Sequence, residues 1–314
     1  MSAQADPSAR TVQVIVTVPP HADFLDELAR HPRVGGLRLN TVMPLRGRPR
    51  DALLRLGALG KPLWIDLKSR QLRVAEAAVP PFTAVRLSQR VRLRTPTRAY
   101  FKGGRESARV LAVDGDRLIL EDGPRCVLGP GESVNIPDGD LAVEGLLTER
   151  DEAFVHAAVE LGLHRYMLSF VESPADVAAV RRLDPLAEVV QKIESRKGLD
   201  HVLRRGAADG ELMAARGDLF LELRRPHHLL SALRTIREAD PRAIVASRLF
   251  DSLAWQTEPE AQDLTDAAFL LALGYRRFLL GDEVCLRRDT VFAALACLDR
   301  VIREVLPNPT LEAV

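Results

Sequence analysis

The sequence predicts an α/β protein: an eight-fold β/α barrel with a small β-rich domain inserted after the third strand. Three observations predict it. Short apolar segments alternate with amphipathic helical segments along most of the chain. Between Val74 and Gly139 that alternation stops, and short strands with turn signals replace it. Setting this insert aside leaves eight strand–helix units in about 250 residues, the usual size of such a barrel.

The elements follow in order. Val12–Val18 is an apolar strand stopped by Pro19 and Pro20, and His21–His31 carries Phe24, Leu25 and Leu28 at helical spacing. Gly36–Asn40 is a second strand, Pro49–Leu59 a helix closed by Gly60, and Pro62–Asp66 a third strand. This βαβαβ order predicts parallel pairing. In the insert, strands are expected at Thr83–Leu87, Val91–Leu93, Ala108–Val113, Arg117–Leu120 and Cys126–Leu128, with tight turns at Asp114-Gly115-Asp116 and Asp122-Gly123. Beyond it come helix Glu149–Leu161 with Thr148 as N-cap, strand Arg165–Phe170 and helix Ser173–Leu183. Strand Glu188–Ile193, helix Gly198–Arg205, strand Glu211–Ala215 and a long helix at His227–Ala239 follow. Strand Ala243–Ser247, helix Glu260–Leu273, strand Arg277–Leu280 and helix Asp289–Val305 close the chain. The domains are therefore a tail (1–10), a barrel (11–73 and 140–306), a lid (74–139) and a second tail (307–314). A doubly wound open sheet is the alternative, but no GxGxxG follows the first strand to support its dinucleotide form.

The bulk numbers exclude several classes. The chain has 314 residues, 46% of them hydrophobic, and a net charge of +1, so it has no electrostatic case for nucleic acid or an acidic membrane. No apolar run reaches membrane-spanning length. Cys126, Cys285 and Cys297 have neither CxxC nor metal spacing and suit a reducing compartment. Residues 1–10 lack the apolar centre of a signal peptide, so a soluble cytoplasmic protein is expected.

The stretch 187–222 concentrates the chemistry. One strand ends in Lys192 and Glu194, and the next leads into Arg216 and Asp218. Strand side chains alternate, so Lys192 and Glu194 share a face, and Asp218 joins them if the two strands are parallel neighbours. Two carboxylates beside a lysine suit a divalent cation holding an anionic substrate. Only five lysines occur (61, 68, 102, 192 and 197), so Lys192 stands where arginine is the default base. A strand-end ion pair is the competing account. In a barrel the site lies at the C-terminal strand ends. The polar residues there are Arg38 and Asn40, Asp66, Ser169, Lys192 and Glu194, Asp218, Ser247 and Glu283; Ser169 and Glu283 read best as caps. The insert, following the third strand, is placed to act as a lid over that mouth.

Lys192-Ile-Glu-Ser-Arg-Lys-Gly198 and Met213-Ala-Ala-Arg-Gly-Asp-Leu219 resemble two motifs of the pyruvate kinase family, at the right separation. Asp66-Leu-Lys-Ser-Arg-Gln-Leu-Arg73, Val134-Asn-Ile-Pro137 and Ala246-Ser-Arg-Leu-Phe-Asp-Ser252 add to the resemblance, which spans roughly 12–305. It implies a (β/α)8 TIM barrel with a small β-barrel-like lid domain. Glu194 and Asp218 would hold Mg²⁺ or Mn²⁺, and Lys192 would stabilise the phosphoryl group and the enolate oxygen. Arg38 would hold phosphate, and the Gly217 and Asp218 amides would receive the substrate carboxylate. Ser247 would lie near the enolate carbon, and Arg73 would reach the nucleotide. The implied partners are phosphoenolpyruvate or pyruvate and ADP or ATP, with a homo-oligomer as one option for the assembly.

The departures lie on the other half of the site. Asn40-Thr-Val-Met43 replaces Asn-Phe-Ser-His, and Leu67 replaces a threonine. Only Asn40 and Asp66 are left as side chains of the family's K⁺ site. Gly281-Asp-Glu283 replaces Ser-Gly-Glu, and the C-terminal regulatory domain is expected to be absent. Two enzyme readings follow: phosphoryl transfer to ADP, or a repurposed relative that makes or breaks C–C bonds or decarboxylates a 2-oxo acid. A non-catalytic metabolite sensor is the third. His227-His228 is read as a helix start, and the basic stretch Arg90–Arg98 as a solvated strand edge or phosphate clamp.

Overall fold

The computed structural model describes residues 11–137 and 139–306. The expected tails at 1–10 and 307–314, and Asp138 in the insert, lie outside the described residues. The chain begins β1 (Gln13–Thr17), α1 (Leu25–Arg30), β2 (Val34–Asn40), α2 (Pro49–Gly57), β3 (Leu63–Leu67). After the insert it continues α3 (Glu149–Glu160), β11 (Arg165–Leu168), α4 (Pro174–Leu183), β12 (Glu188–Ile193), α5 (Arg196–Arg205), β13 (Glu211–Ala215), α6 (Arg216–Glu222) and α7 (His228–Ala239). It ends with β14 (Ile244–Ala246), α8 (Ala261–Ala272), β15 (Arg277–Leu280), α9 (Asp282–Cys285) and α10 (Arg288–Val305).

The eight strands β1, β15, β14, β13, β12, β11, β3 and β2 close into one parallel barrel. The pairing of β1 with β15, from Gln13↔Arg277 to Val16↔Leu280, is the closure that a doubly wound sheet lacks. Period-two alternation divides each strand between two apolar layers. Val14, Leu39, Ile65, Leu168 and Phe278 face the helices in the main core. Ile15, Trp64, Met167, Val190, Met213, Ile244 and Leu279 form a separate buried cluster that fills the barrel. Each large side chain so buried contributes about 1.5–3 kcal/mol.

The insert holds β4 (Ala84–Arg86), β5 (Val91–Arg92), β6 (Thr97–Phe101), β7 (Glu106–Asp114), β8 (Arg117–Leu120), β9 (Val134–Asn135) and β10 (Ala142–Val143). Five of them form the antiparallel sheet β4-β8-β7-β6-β9 around Phe101, Val110 and Leu118, and β10 pairs with β5 just past the expected boundary at Gly139. Cys126–Leu128 is not a strand; Leu128 makes a single bridge to Ala78. The sequence carries no clear signal for β6, which begins at the end of the basic stretch, or for β9, which is only two residues long. In that stretch Arg90 and Arg92 are exposed and face Glu144. Among the described residues no helix is long and apolar enough to cross a membrane.

Cys285, on α9, is fully buried, and burial pushes its thiol up to about 12. A thiolate is the reactive form. Cys285 is therefore expected to resist a thiol reagent in the native protein, while half-buried Cys126 reacts. Mass-mapped labelling checks this, and native labelling at Cys285 would mean that α9 opens.

Candidate active site

Counting by twos along the barrel strands leads from the apolar filling to a polar mouth. Ile15 is followed by Thr17, Trp64 by Asp66 and Lys68, Met167 by Ser169, and Val190 by Lys192 and Glu194. Asp66 is the hub of this layer. Its carboxylate takes Nζ of Lys192 at 3.1 Å, Nζ of Lys68 at 3.0 Å and Nε of Arg38 at 2.8 Å, with Nη2 of Arg38 as a further donor. Burial would push the Asp66 carboxyl up, but Lys192, Lys68 and Arg38 outweigh it and hold it well below the ordinary value.

The two lysines diverge for a physical reason. Lys192 also donates to Ser169 Oγ at 2.7 Å and faces Glu194 at 3.3 Å. Burial works against its ammonium, yet Asp66 and Glu194 together keep its pKa above the ordinary lysine value. Lys68 has Asp66 alone and looks at Lys192 and Arg38, so burial brings it down to about 7. Its loop is fixed by two helix starts. Asp151 of α3 accepts from the Lys68 and Ser69 amides at 2.8 and 2.9 Å, and Asp176 of α4 takes both Nη atoms of Arg70 at 3.1 and 2.6 Å.

The sequence placed two carboxylates opposite this cluster, and the structure brings them to the same cavity. β12 and β13 are parallel neighbours, with Lys192 beside Met213. Glu194 accepts from the Phe170 amide at 2.9 Å; burial pushes its carboxyl up to about 7, Lys192 opposing and Asp218 adding to the rise. Asp218, in the first turn of α6, accepts from Gln71 Nε2 at 2.9 Å and from Asn135 Nδ2 at 3.0 Å. Asn135 lies on β9, so the insert reaches the site. It also donates to Glu222 at 3.3 Å, whose carboxyl burial pushes up to about 8. Arg216 does not face the substrate space. It clamps the next turn through the carbonyl of Ser247 at 2.7 Å, where Ser247 holds a left-handed φ of 71°.

The nine residues given a role from the resemblance line one cavity of about 930 Å³: Arg38, Asn40, Asp66, Arg73, Lys192, Glu194, Gly217, Asp218 and Ser247; Glu283, read as a cap, lines it too. The insert supplies its outer wall through Lys102–Arg105 and Gly131–Ser133. Ser169, set aside as a cap, touches Lys192 instead. Among the polar residues of the site that the sequence does not single out are Lys68, Gln71, Asn135 and Asp282. Lys68 obeys the same alternation, two on from Asp66, and is within reach of it; Gln71 arrives from a loop, Asn135 from β9 and Asp282 from the short helix α9, with no periodic signal. Of the expected K⁺ pair, Asn40 donates through Nδ2 to Asp282 at 2.6 Å, and Asp66 meets Lys192, Lys68 and Arg38.

Fold and site thus define a (β/α)8 barrel protein with a charged pocket at the C-terminal strand ends and a β insert over it. The family model described as pyruvate kinase, barrel domain, matches residues 87–281, and the chain belongs to the pyruvate kinase family. Relatives named pyruvate kinase agree. One from Mycobacterium intracellulare is 27% identical over 92% of this chain and 64% of its own length. One from Mycobacterium tuberculosis is 29% identical over 66% of this chain and 45% of its own, and one from Thermoplasma acidophilum 28% over 61% and 38%. The chain thus spans less than two thirds of the length of each of these relatives.

Proposed function

We propose that this chain is a divalent-metal-dependent enzyme, soluble and cytoplasmic, that stabilises an enolate in the pyruvate and phosphoenolpyruvate class of substrates. The observation that carries it is Lys192: a buried ammonium, kept charged by Asp66 and Glu194, on the wall of a cavity that also holds Asp218. Positive charge fixed in a low-dielectric wall lowers the energy of a negative oxygen that develops beside it.

The donor set fits a hard divalent ion. Glu194 is a carboxylate whose burial is uncompensated enough to raise it to about 7, and Asp218 faces it electrostatically. Among the described residues no group of three or more His, Cys, Asp or Glu could hold a metal. Mg²⁺ and Mn²⁺ suit such a site, because one or two carboxylates with substrate and water oxygens are enough for them. Bound there, the ion would polarise the keto or enol oxygen. A cation on Glu194 would also compete for its contact with Lys192 and leave an ammonium hydrogen for the substrate. Lys68, brought to about 7, is a group in the cavity able to exchange a proton at neutral pH. The Gly217 and Asp218 amides and Ser247 are assigned to the substrate carboxylate and the enolate carbon.

Phosphoryl transfer to ADP is the second reading, and one observation favours it. Arg73 Nε is a buried donor without a hydrogen-bond partner, on the cavity wall, as suits a side chain that meets an anionic ligand. The test follows deuterium entry into the methyl group of pyruvate by NMR, with Mn²⁺ or with a chelator, beside a pyruvate assay with phosphoenolpyruvate, ADP, Mg²⁺ and K⁺. Metal-dependent exchange is the expected result. Absence of both exchange and pyruvate formation would overturn the proposal.

A further inference from the structure

Arg38 is the residue to which the family resemblance assigns phosphate. A guanidinium has five N–H donors, and the structure commits four of them. Nε and Nη2 go to Asp66, and the two hydrogens of Nη1 to Thr17 Oγ1 at 2.9 Å and to Asp282 Oδ1 at 2.7 Å. The second carboxylate is the informative one. Asp66 belongs to the strand layer and is buried, whereas Asp282 enters from the first turn of α9 with its side chain 34% exposed. Its other oxygen takes the Asn40 amide at 2.6 Å. Asp282 therefore lies over the solvent side of Arg38 and spans two polar groups of β2. Both contacts are with cavity-lining residues, and Asp282 lines the cavity itself.

We propose that Asp282 is a specificity residue: it occupies the outward donors of Arg38 and Asn40, and so directs the site to an unphosphorylated 2-oxo acid. A phosphoryl dianion entering at Arg38 would find one free N–H and a carboxylate already in its place, with like charges in contact. A carboxylate and keto oxygen met by the Lys192 ammonium, with a divalent ion that Glu194 and Asp218 would hold, ask nothing of Arg38. The substrate class is then a 2-oxo acid whose enolate is formed by C–H or C–C bond chemistry, and the reaction that supplies it releases a free keto acid. This inference rests on the metal–enolate reading of the site.

Calorimetry on the Mn²⁺-loaded full chain tests it with two probes. Oxalate presents the planar oxygen pattern of the enolate without phosphate, and phosphoenolpyruvate carries the phosphate. The wild type is expected to prefer oxalate by about tenfold or more, the effect of a like charge in contact. Asp282→Asn, which keeps the shape and removes the charge, is expected to tighten phosphoenolpyruvate by about tenfold and leave oxalate within about twofold. Asp282→Ala should do the same, and a melting curve on each variant shows that it is folded. A ratio that neither variant moves would overturn the role of Asp282 alone. Failure of the wild type to bind either probe would overturn the metal–enolate reading, and this inference with it.

Discussion

Lys192→Met is expected to lower metal-dependent methyl exchange of pyruvate by about 10³-fold, the cost of removing one preorganised donor from a developing oxyanion. The substitution keeps the length and apolar stem of the side chain and deletes only the ammonium. Asp66 retains Lys68 at 3.0 Å and Arg38, so its charge stays compensated and the fold should survive. Glu194 loses the cation at 3.3 Å that pulls its carboxyl down, and its pKa should rise further. Mn²⁺ binding should therefore weaken near pH 7 and still need more metal to saturate at pH 8, where the raised Glu194 remains partly protonated. The pair of readings separates charge stabilisation from ligand loss: exchange stays low at pH 8 although the metal is saturating. An exchange rate within tenfold of wild type at pH 8 would remove Lys192 from the chemistry and leave it as a strand-end ion pair. Lys192→Arg is a useful companion. It restores the charge on a planar, bulkier head that cannot reach Asp66, Ser169 and Glu194 at once, and partial rescue is expected.

The barrel was legible because two local rules agree along the chain. Apolar strands alternate with amphipathic helices, and the inward face of several strands changes from apolar to polar near the C-terminal end. The step from Val190 to Lys192 and Glu194, or from Trp64 to Asp66, needs nothing but the pleat. Asn135 and Gln71 were out of reach for the opposite reason. Asn135 meets Asp218 only because the insert folds back over the mouth, and Gln71 meets it from the loop that leaves β3; no spacing in the sequence encodes either return. Asp282 is a harder case still. Its neighbour Glu283 is the polar residue that the sequence offers at the last strand end, yet the short helix α9 turns Asp282, not Glu283, toward Arg38. The strands β6 and β9 were hidden by composition: charge at Arg98 and brevity at Val134–Asn135 left no alternating run to read.

Asp66→Asn is expected to cost about 3–5 kcal/mol of folding stability in urea denaturation, the usual consequence of removing one member of a buried ionic network. Three cations meet at this carboxylate, and the amide would leave Arg38, Lys68 and Lys192 facing one another around a neutral group. The pH dependence separates this account from a loss of packing. The Asp66 carboxyl is held well below its ordinary value of 3.8 in the folded chain. Its contribution is thus fully present above the unfolded value and is lost only as pH falls through the lower folded value. The part of the difference carried by the Asp66 carboxyl itself should hold above about pH 5 and shrink below about pH 4, while Lys68, at about 7 beside Asp66, adds its own slope near neutral pH. Removing one excess cation should repair part of the damage, so Lys68→Met in the Asp66→Asn background is expected to regain stability although it deletes a side chain. A cost under about 1 kcal/mol, or a double variant less stable than the single one, would show that Asp66 is packed rather than charged into place.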